Sequence, residues 1–124
     1  MALETIQLTT VYVQDQDAAL DFYVHKLGME KRMDNVFGPG IRFLVVAPKG
    51  STAGIVLQAG QQNNKPVGGF TGIVFGSSDV EGTYQELHSR GVTFTEKPEV
   101  QSWGAVQALF TDLDGNVFVL HSKQ

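Results

Sequence analysis

The sequence predicts an α+β fold made of two tandem βαβββ modules. The first observation is an internal repeat, because Val11-Tyr12-Val13 followed by Leu27-Gly28 returns as Ile73-Val74-Phe75 followed by Arg90-Gly91, half of the 124-residue chain further on. A repeat of this length indicates two copies of one supersecondary unit that bury a shared apolar face. The second observation is that each copy contains short alternating β-branched runs around one segment of helical periodicity.

The composition indicates one globular domain, residues 1–124. Apolar residues make up 42% and charged residues 18% of the chain, and there are no cysteines. These values are typical of a cytoplasmic protein, and they exclude disulfides and thiolate metal sites. No apolar run is long enough to span a bilayer, and no signal peptide is visible. The net charge is -4 without any cluster of Lys and Arg, so we expect neither nucleic acid nor a membrane as a partner.

The first module is predicted to cover residues 1–60. Alternating β-branched residues predict a strand at 5–13. Asp15 or Asp17 can cap the helix that follows, because a short carboxylate accepts hydrogen bonds from the free amides of the first turn. Gly28 is expected to end this helix. The other strands of the module are predicted at 30–36, 41–48 and 54–59.

A polar, Gly-rich stretch at 61–69 predicts a linker, and the second module follows at 70–124. Ser78-Asp79-Val80-Glu81 has the pattern of a capping box, which places Ser78 at the cap of the second helix. Asp114-Gly115-Asn116 predicts a tight hairpin turn, since Gly and Asn tolerate positive φ. The helix is expected to end at Gly91. The strands of this module are predicted at 71–76, 92–96, 105–111 and 117–121.

Several segments resemble the vicinal oxygen chelate superfamily. They are Val13-Gln14-Asp15 with Phe22-Tyr23 in the first module, Tyr84 to Phe94 in the second, and Trp103-Gly104 with Asp112–Asn116 near the end. The superfamily includes glyoxalase I, bleomycin-resistance proteins, fosfomycin-resistance enzymes and extradiol dioxygenases. The resemblance covers essentially the whole chain, but it singles out no one activity. It implies a curled mixed sheet in which the two modules form a central cup, and it implies a homodimer.

In the enzymes of this superfamily four strand residues, usually His, Glu, Gln or Tyr, hold one divalent metal that acts as a Lewis acid on the substrate. Counting from the family motifs places these four metal-ligand slots at Leu8, Gln58, Gly72 and Val119. Only Gln58 has a donor atom, and shifting the count by one residue in either direction produces no ligand set. A catalytic metal normally needs three or more protein ligands. We therefore expect no metal and no other cofactor.

An apolar cup with a few polar groups is the usual form of a small-molecule pocket. Side chains alternate along a strand, so each slot predicts neighbours on its own face. Phe43, Trp103 and Phe110 are further aromatic candidates whose facing the sequence does not fix, and Trp103 could equally be a packing residue or a dimer contact. The candidate ligand-binding residues are Leu8, Thr10, Tyr12, Phe43, Val56, Gln58, Gly72, Val74, Trp103, Phe110 and Val119.

Four charged or titratable residues have alternative interpretations. His25 and His88 lie on the predicted helices, where a solvated imidazole is expected, whereas His121 shares the strand face of Val119 and is a candidate for the cup rim. Arg42 could hold an anion, although an arginine on a strand edge is more often solvated.

Three functions remain open on the sequence alone. The favoured one is a protein that binds or sequesters a small organic molecule in a metal-free cup. The alternative is a lyase or dioxygenase of the same superfamily with an atypical metal site, so the sequence does not decide whether the protein is an enzyme. A third possibility is a cup filled by its own side chains, in a protein that acts only through its interface.

Overall fold

The computed structural model describes residues 2–123, which divide into two compact units with the boundary between Val67 and Gly68. Each unit consists of one strand, one helix and three further strands, which confirms the α+β fold of two βαβββ modules. In the first unit the elements are β1 (Leu8–Val13), α1 (Gln16–Asp21), β2 (Glu30–Gly38), β3 (Ile41–Ala47) and β4 (Gly54–Ala59). In the second unit they are β5 (Gly69–Ser77), α2 (Val80–Ser89), β6 (Thr93–Val100), β7 (Val106–Thr111) and β8 (Asn116–Ser122).

The two sheets have the same topology. The strand order is β1-β4-β3-β2 in the first unit and β5-β8-β7-β6 in the second. In each sheet the opening strand pairs in parallel with the last strand of its own module, and the other pairs are antiparallel. Tyr12 lies opposite Gln58 in the first unit, and Val74 lies opposite Val119 in the second. The first and last strands of each repeat are therefore brought together at matching positions.

The first helix is capped by Asp15, and its last turn ends at Lys26, two residues before Gly28. Oδ1 of Asp15 accepts hydrogen bonds from the amides of Asp17 at 2.9 Å and Ala18 at 3.2 Å, which selects Asp15 over Asp17 as the cap. From Phe22 to Lys26 the helix widens into a π-helical turn. Gly28 then takes a φ of 76°, as expected of a residue that closes a helix.

One face of each sheet packs against the helix of its unit. In the first unit β1, β3 and β4 contribute alternate residues to this face, and Ala19 and Tyr23 of the helix are fully buried. The buried strand residues are Val11, Val13, Leu44, Val46, Ile55 and Leu57. The opposite face of each sheet, called the helix-free face below, carries the other set of alternate residues. Of the described residues, neither helix combines the length and apolar character needed to cross a membrane.

The second unit has an aromatic core between its sheet and α2. The Phe110 ring lies with its centroid 6.0 Å from that of Phe75 and 5.6 Å from those of Phe94 and Phe118. Tyr84 of α2 contacts Phe94 edge-on at 4.7 Å. Phe110 is only 3% exposed, so the prediction that it lines the cup is wrong: it belongs to the helix-covered side of the sheet.

The cap of α2 differs from the prediction by one residue. Asp79, not Ser78, is the cap, and its Oδ1 accepts a hydrogen bond from the amide of Gly82 at 2.9 Å. Ser77 supports the cap, since its Oγ accepts a hydrogen bond from the amide of Asp79. A Cβ at Gly82 would collide with the Asp79 carboxylate, so glycine at this position permits the close approach.

Other differences from the predicted elements lie at their ends. β1 begins at Leu8 rather than at residue 5, and β6 extends to Val100. The predicted linker begins with a turn in which the amides of Asn63 and Lys65 both donate to the carbonyl of Gly60.

The loop between β7 and β8 depends on Asp112, which is 5% exposed. Its Oδ1 accepts hydrogen bonds from the amides of Asp114 at 2.8 Å and Asn116 at 3.0 Å, and its Oδ2 accepts one from the side-chain amide of Asn116 at 2.8 Å. The predicted hairpin turn is confirmed, with a buried carboxylate at its centre.

Arg42 joins three elements of the first unit. Its Nε and Nη2 each donate to Asp34 of β2 at 2.8 Å, and its Nη1 donates to Asp17 of α1 at 2.7 Å. The hydrogen bonds from Arg42 hold the pKa of Asp34 below its ordinary value. The paired carboxylates in turn hold the pKa of Arg42 above its own ordinary value. The guanidinium of Arg42 already donates to two carboxylates, which argues against the interpretation that it binds an anion.

We expect Asp112→Ala to lower the free energy of unfolding by about 1–3 kcal/mol, because two backbone amides would lose their acceptor. Urea unfolding monitored by circular dichroism measures the change. Leu113→Ala in the same turn is the matched control and should change the free energy by less than about 0.5 kcal/mol. Equal effects of the two substitutions would contradict the role given to the Asp112 carboxylate.

We expect Asp34→Asn to lower the free energy of unfolding by roughly 1 kcal/mol at pH 7, because a paired carboxylate is lost. The pKa of Asp34 is lower in the folded than in the unfolded chain, so its contribution is present above the ordinary value of 3.8 and is lost as the pH falls through and below it. Unfolding curves of both proteins at several pH values should therefore converge in acid. Glu4→Gln, at an exposed position, is the control, and its free energy of unfolding should match that of the wild type at every pH.

Candidate functional site

The helix-free face of the first unit brings together most of the candidates predicted from that module. Leu8, Thr10 and Tyr12 of β1 lie beside Gly54, Val56 and Gln58 of β4, and Phe43 of β3 shares this face by alternation. A Cβ at Gly54 would lie 2.9 Å from Cγ1 of Val45 and 3.3 Å from Cδ2 of Leu8. The absence of a side chain at Gly54 therefore lets the apolar groups of three strands meet.

The register separates the two metal-ligand slots of this unit. Leu8 pairs with Gly54, whereas Gln58 pairs with Tyr12, four positions further along the strands. At about 3.3 Å per residue this separation is roughly 13 Å. Leu8 and Gln58 could not both contact one ion, and Leu8 has no donor atom in any case.

The slots of the second unit, Gly72 and Val119, offer no side-chain donor atom. Gly72 lies in a bulge of β5 between Phe70 and Val74, and it has a φ of 75°. Nothing lies within 4 Å of a Cβ built there, so backbone conformation rather than space favours glycine. Val74, not Gly72, faces Val119. Among residues 2–123 no group of three His, Asp or Glu side chains is placed to hold a metal ion.

Gln58 lines a polar cleft of about 190 Å³ at the end of the first sheet. The cleft forms where β3 and β4 separate, and Nε2 of Gln16 donates across the gap to the carbonyls of Leu57 at 2.8 Å and Arg42 at 3.3 Å. The lining residues are Gln16, Gly40, Ile41, Arg42, Gln58, Ala59, Gln62 and Asn63. Four of the lining residues carry neutral side-chain amides. The guanidinium of Arg42 is already paired with two carboxylates, so it adds no free charge to the cleft.

The helix-free face of the second unit is apolar and partly exposed. Phe70 is 69% and Val74 is 57% exposed on β5. On the neighbouring strands Leu109 and Val119 face the same side as Val74, and His121 follows two residues after Val119. Val119 itself is buried. This surface gives an aromatic or aliphatic group a row of side chains to contact.

Trp103 lies at the edge of this face and contacts His121. The loop Gln101–Ala105 joins β6 to β7, and Trp103 at its tip is 61% exposed. Its Nε1 donates a hydrogen bond to Nε2 of His121 at 3.3 Å. The two ring planes are 9° apart and their centroids are 6.3 Å apart. Together with the hydrogen bond, these values describe rings joined edge to edge rather than stacked face to face.

The structure brings His121 next to Trp103, and the sequence had marked it only as a rim candidate. The signal that could have predicted the contact is the hairpin register. Because the β7–β8 ladder places Gln107 opposite His121, the loop that precedes β7 must lie near the end of β8. The same register would have assigned Phe110 to the side of Phe118 and so to the core.

Comparisons with known proteins are consistent with these features. The family model of the Glyoxalase/Bleomycin resistance protein/Dioxygenase superfamily matches residues 5–120. The protein YetH of Bacillus subtilis (strain 168) is 35% identical over 123 residues, which cover 95% of this chain and 98% of YetH.

Two solved structures are similar over nearly their whole length. A superfamily member from Sphaerobacter thermophilus DSM 20745 is 39% identical with a TM-score of 0.93, covering 98% of each chain. TnmS3, an antibiotic binding protein from Streptomyces sp. CB03234, is 36% identical with a TM-score of 0.88, covering 100% of this chain and 99% of its own. The family match, the identities and the βαβββ modules agree with the resemblance of the sequence motifs. The chain therefore belongs to the Glyoxalase/Bleomycin resistance protein/Dioxygenase superfamily.

Proposed function

We propose that this protein binds a small, flat organic molecule on the helix-free face of its second unit, without a metal ion. The observation that carries the proposal is the exposed Trp103 ring, which His121 holds at the edge of an apolar sheet face. The candidates on the equivalent face of the first unit are proposed contacts of the same kind. They are Leu8, Thr10, Tyr12, Phe43, Val56 and Gln58.

The chemistry of the face supports a flat, largely apolar ligand. An aromatic side chain contributes a large contact area, and ring pairs add about 0.5–1.5 kcal/mol beyond the area they bury. Phe70, Val74 and Trp103 are all more than half exposed, which is unusual for large apolar side chains unless they meet a partner. No charged group is needed at Trp103 itself, so shape and apolar contact would dominate recognition.

The similarity to TnmS3 supports a small-molecule ligand. That protein is described as an antibiotic binding protein, and the match extends over the whole of the present chain at 36% identity. Within one superfamily the fold hosts both binding proteins and enzymes, so the decision rests on the residues of the site. We infer binding rather than catalysis because the four metal-ligand slots provide one neutral amide oxygen.

We expect the protein to bind N-phenyl-1-naphthylamine, a neutral flat probe whose fluorescence rises in an apolar site. Trp103→Ala should weaken binding about tenfold, because an aromatic contact and its buried area are lost. The measurement is a fluorescence titration of the probe. Leu113→Ala, which removes an exposed apolar side chain elsewhere in the unit, should leave the affinity unchanged. Equal affinities of wild type and Trp103→Ala would contradict the proposed contact.

We expect native mass spectrometry of the purified protein to show no stoichiometric metal after addition of Ni²⁺, Zn²⁺, Mn²⁺ or Fe²⁺. The physical reason is the lack of donor atoms at Leu8, Gly72 and Val119. An ion retained at one per chain, together with a higher melting temperature, would instead favour a lyase or dioxygenase.

We also propose that two copies of the chain form a homodimer through the β2–β3 hairpin. Its tip exposes Val36, Phe37 and Ile41, at 71%, 68% and 60%. Three large apolar side chains this close together on a hairpin favour an interface. The family resemblance also implies a homodimer.

We expect light scattering after size-exclusion chromatography to give twice the chain mass of 13.5 kDa for the wild type. Phe37→Glu should shift the mass to that of the monomer, because it would place a charge in an apolar contact. The control Leu113→Glu adds the same charge at another exposed apolar position and should remain dimeric. A monomeric wild type would refute the proposed dimer.

A further inference from the structure

The imidazole of His121 makes two hydrogen bonds of different kinds. Nε2 lies 3.3 Å from Nε1 of Trp103, and Nδ1 lies 2.8 Å from the backbone carbonyl of Ser122. An indole nitrogen can only donate, and a carbonyl oxygen can only accept. His121 must therefore accept at Nε2 and donate from Nδ1, which assigns the neutral tautomer with its proton on Nδ1.

The loop that carries Trp103 fixes the backbone of this residue but not its ring. The amide of Gln101 donates to the carbonyl of Ala105 at 2.7 Å, and the amide of Gly104 donates to the carbonyl of Gln101 at 2.9 Å. These bonds close a tight loop in which Gly104 has a φ of 93°. A ring that is 61% exposed has few packing contacts to select one rotamer, so the bond to His121 provides the orientation.

We propose that His121 is a positioning residue, which orients the Trp103 ring for ligand binding through a hydrogen bond that only a neutral imidazole can accept. This inference rests on the proposed function, because it assigns a role to His121 within that binding site. Orienting the ring before the ligand arrives removes part of the entropy cost of binding.

The tautomer gives the proposal a pH dependence with a definite sign. A proton added at Nε2 turns the acceptor into a donor that faces the indole N–H, so the hydrogen bond is lost. The ring is then free to leave its binding orientation. Affinity should be highest at alkaline pH and should fall as the pH drops through the range of about 5–8 in which imidazoles change charge.

The charged residues near His121 follow it in the chain or lie on β6. Lys123 lies just beyond the end of β8, and a Cβ built at Gly76, which pairs with His121, would lie 2.9 Å from Cγ of Lys123. Glu99 pairs with Gln107 and Glu96 with Leu109, so both face the side of His121. Lys97 lies in the bulge between them. β5 and β7 present no charged residue on this face.

The first experiment tests the hydrogen bond without any ligand. Trp103 is the only tryptophan, so its fluorescence and its single indole N–H resonance report on this site alone. In the wild type both signals should change together as the pH is lowered, with the midpoint of the His121 ring protons. In His121→Gln, whose amide oxygen can accept the indole proton but does not titrate, the change should disappear. His25→Gln and His88→Gln should retain it.

The second experiment measures the affinity for N-phenyl-1-naphthylamine as a function of pH. The wild type should lose about fivefold between pH 8 and pH 5, the amount expected for one hydrogen bond. His121→Gln should bind equally at both pH values, and His121→Phe should bind weakly at both. An indole transition that persists in His121→Gln, or an indole N–H that does not follow the His121 protons in the wild type, would overturn the proposal. A third outcome separates the two proposals: no variant binds the probe, but the indole transition still depends on His121. The hydrogen bond would then be real, but the binding function would be refuted. The positioning role of His121 would be refuted with it.

Discussion

Each four-stranded sheet has two faces, but each unit supplies only one helix. One face is therefore covered from within the unit, by Tyr23 and its neighbours in the first unit and by Tyr84, Leu87 and the aromatic core in the second. The helix-free faces still carry apolar side chains, such as Leu8, Phe70 and Val74. A protein gains no stability from leaving such residues in water, and these exposed apolar groups are the basis of the proposed ligand contacts.

The sequence predicted the fold because the repeat and the side-chain alternation are properties of long segments. The sequence predicted the roles of single residues less accurately. Asp79 replaces Ser78 as the helix cap because the neighbouring Gly82 leaves room for a longer carboxylate. β1 starts at Leu8, three residues after the predicted start of the strand. The prediction was too long because β-branched residues favour an extended chain whether or not a partner strand is present.

The candidate site was predicted only in part, and the reason is register. Alternation correctly placed Thr10 and Tyr12 on the face of Leu8. It could not show that Gln58 lies four positions beyond Leu8 in the ladder, because that distance depends on how β1 and β4 pair. Bulges in β5 and β6 interrupt the alternation as well. The contact between Trp103 and His121 joins residues 18 positions apart and requires the hairpin register.

The polar groups near the two candidate surfaces are satisfied in different ways, and the difference bears on the proposed selectivity. In the first unit Arg42 is neutralised by Asp34 and Asp17, and the cleft beside Gln58 presents mainly amides. In the second unit the polar group next to the exposed ring is His121, whose two nitrogens are both engaged. An ionic group placed against Phe70, Val74 or Trp103 would lose hydration without a counter-charge from Arg42 or His121. Under the proposed function, the exposed side chains would select a ligand by shape and apolar contact, since apolar contact is what they can offer.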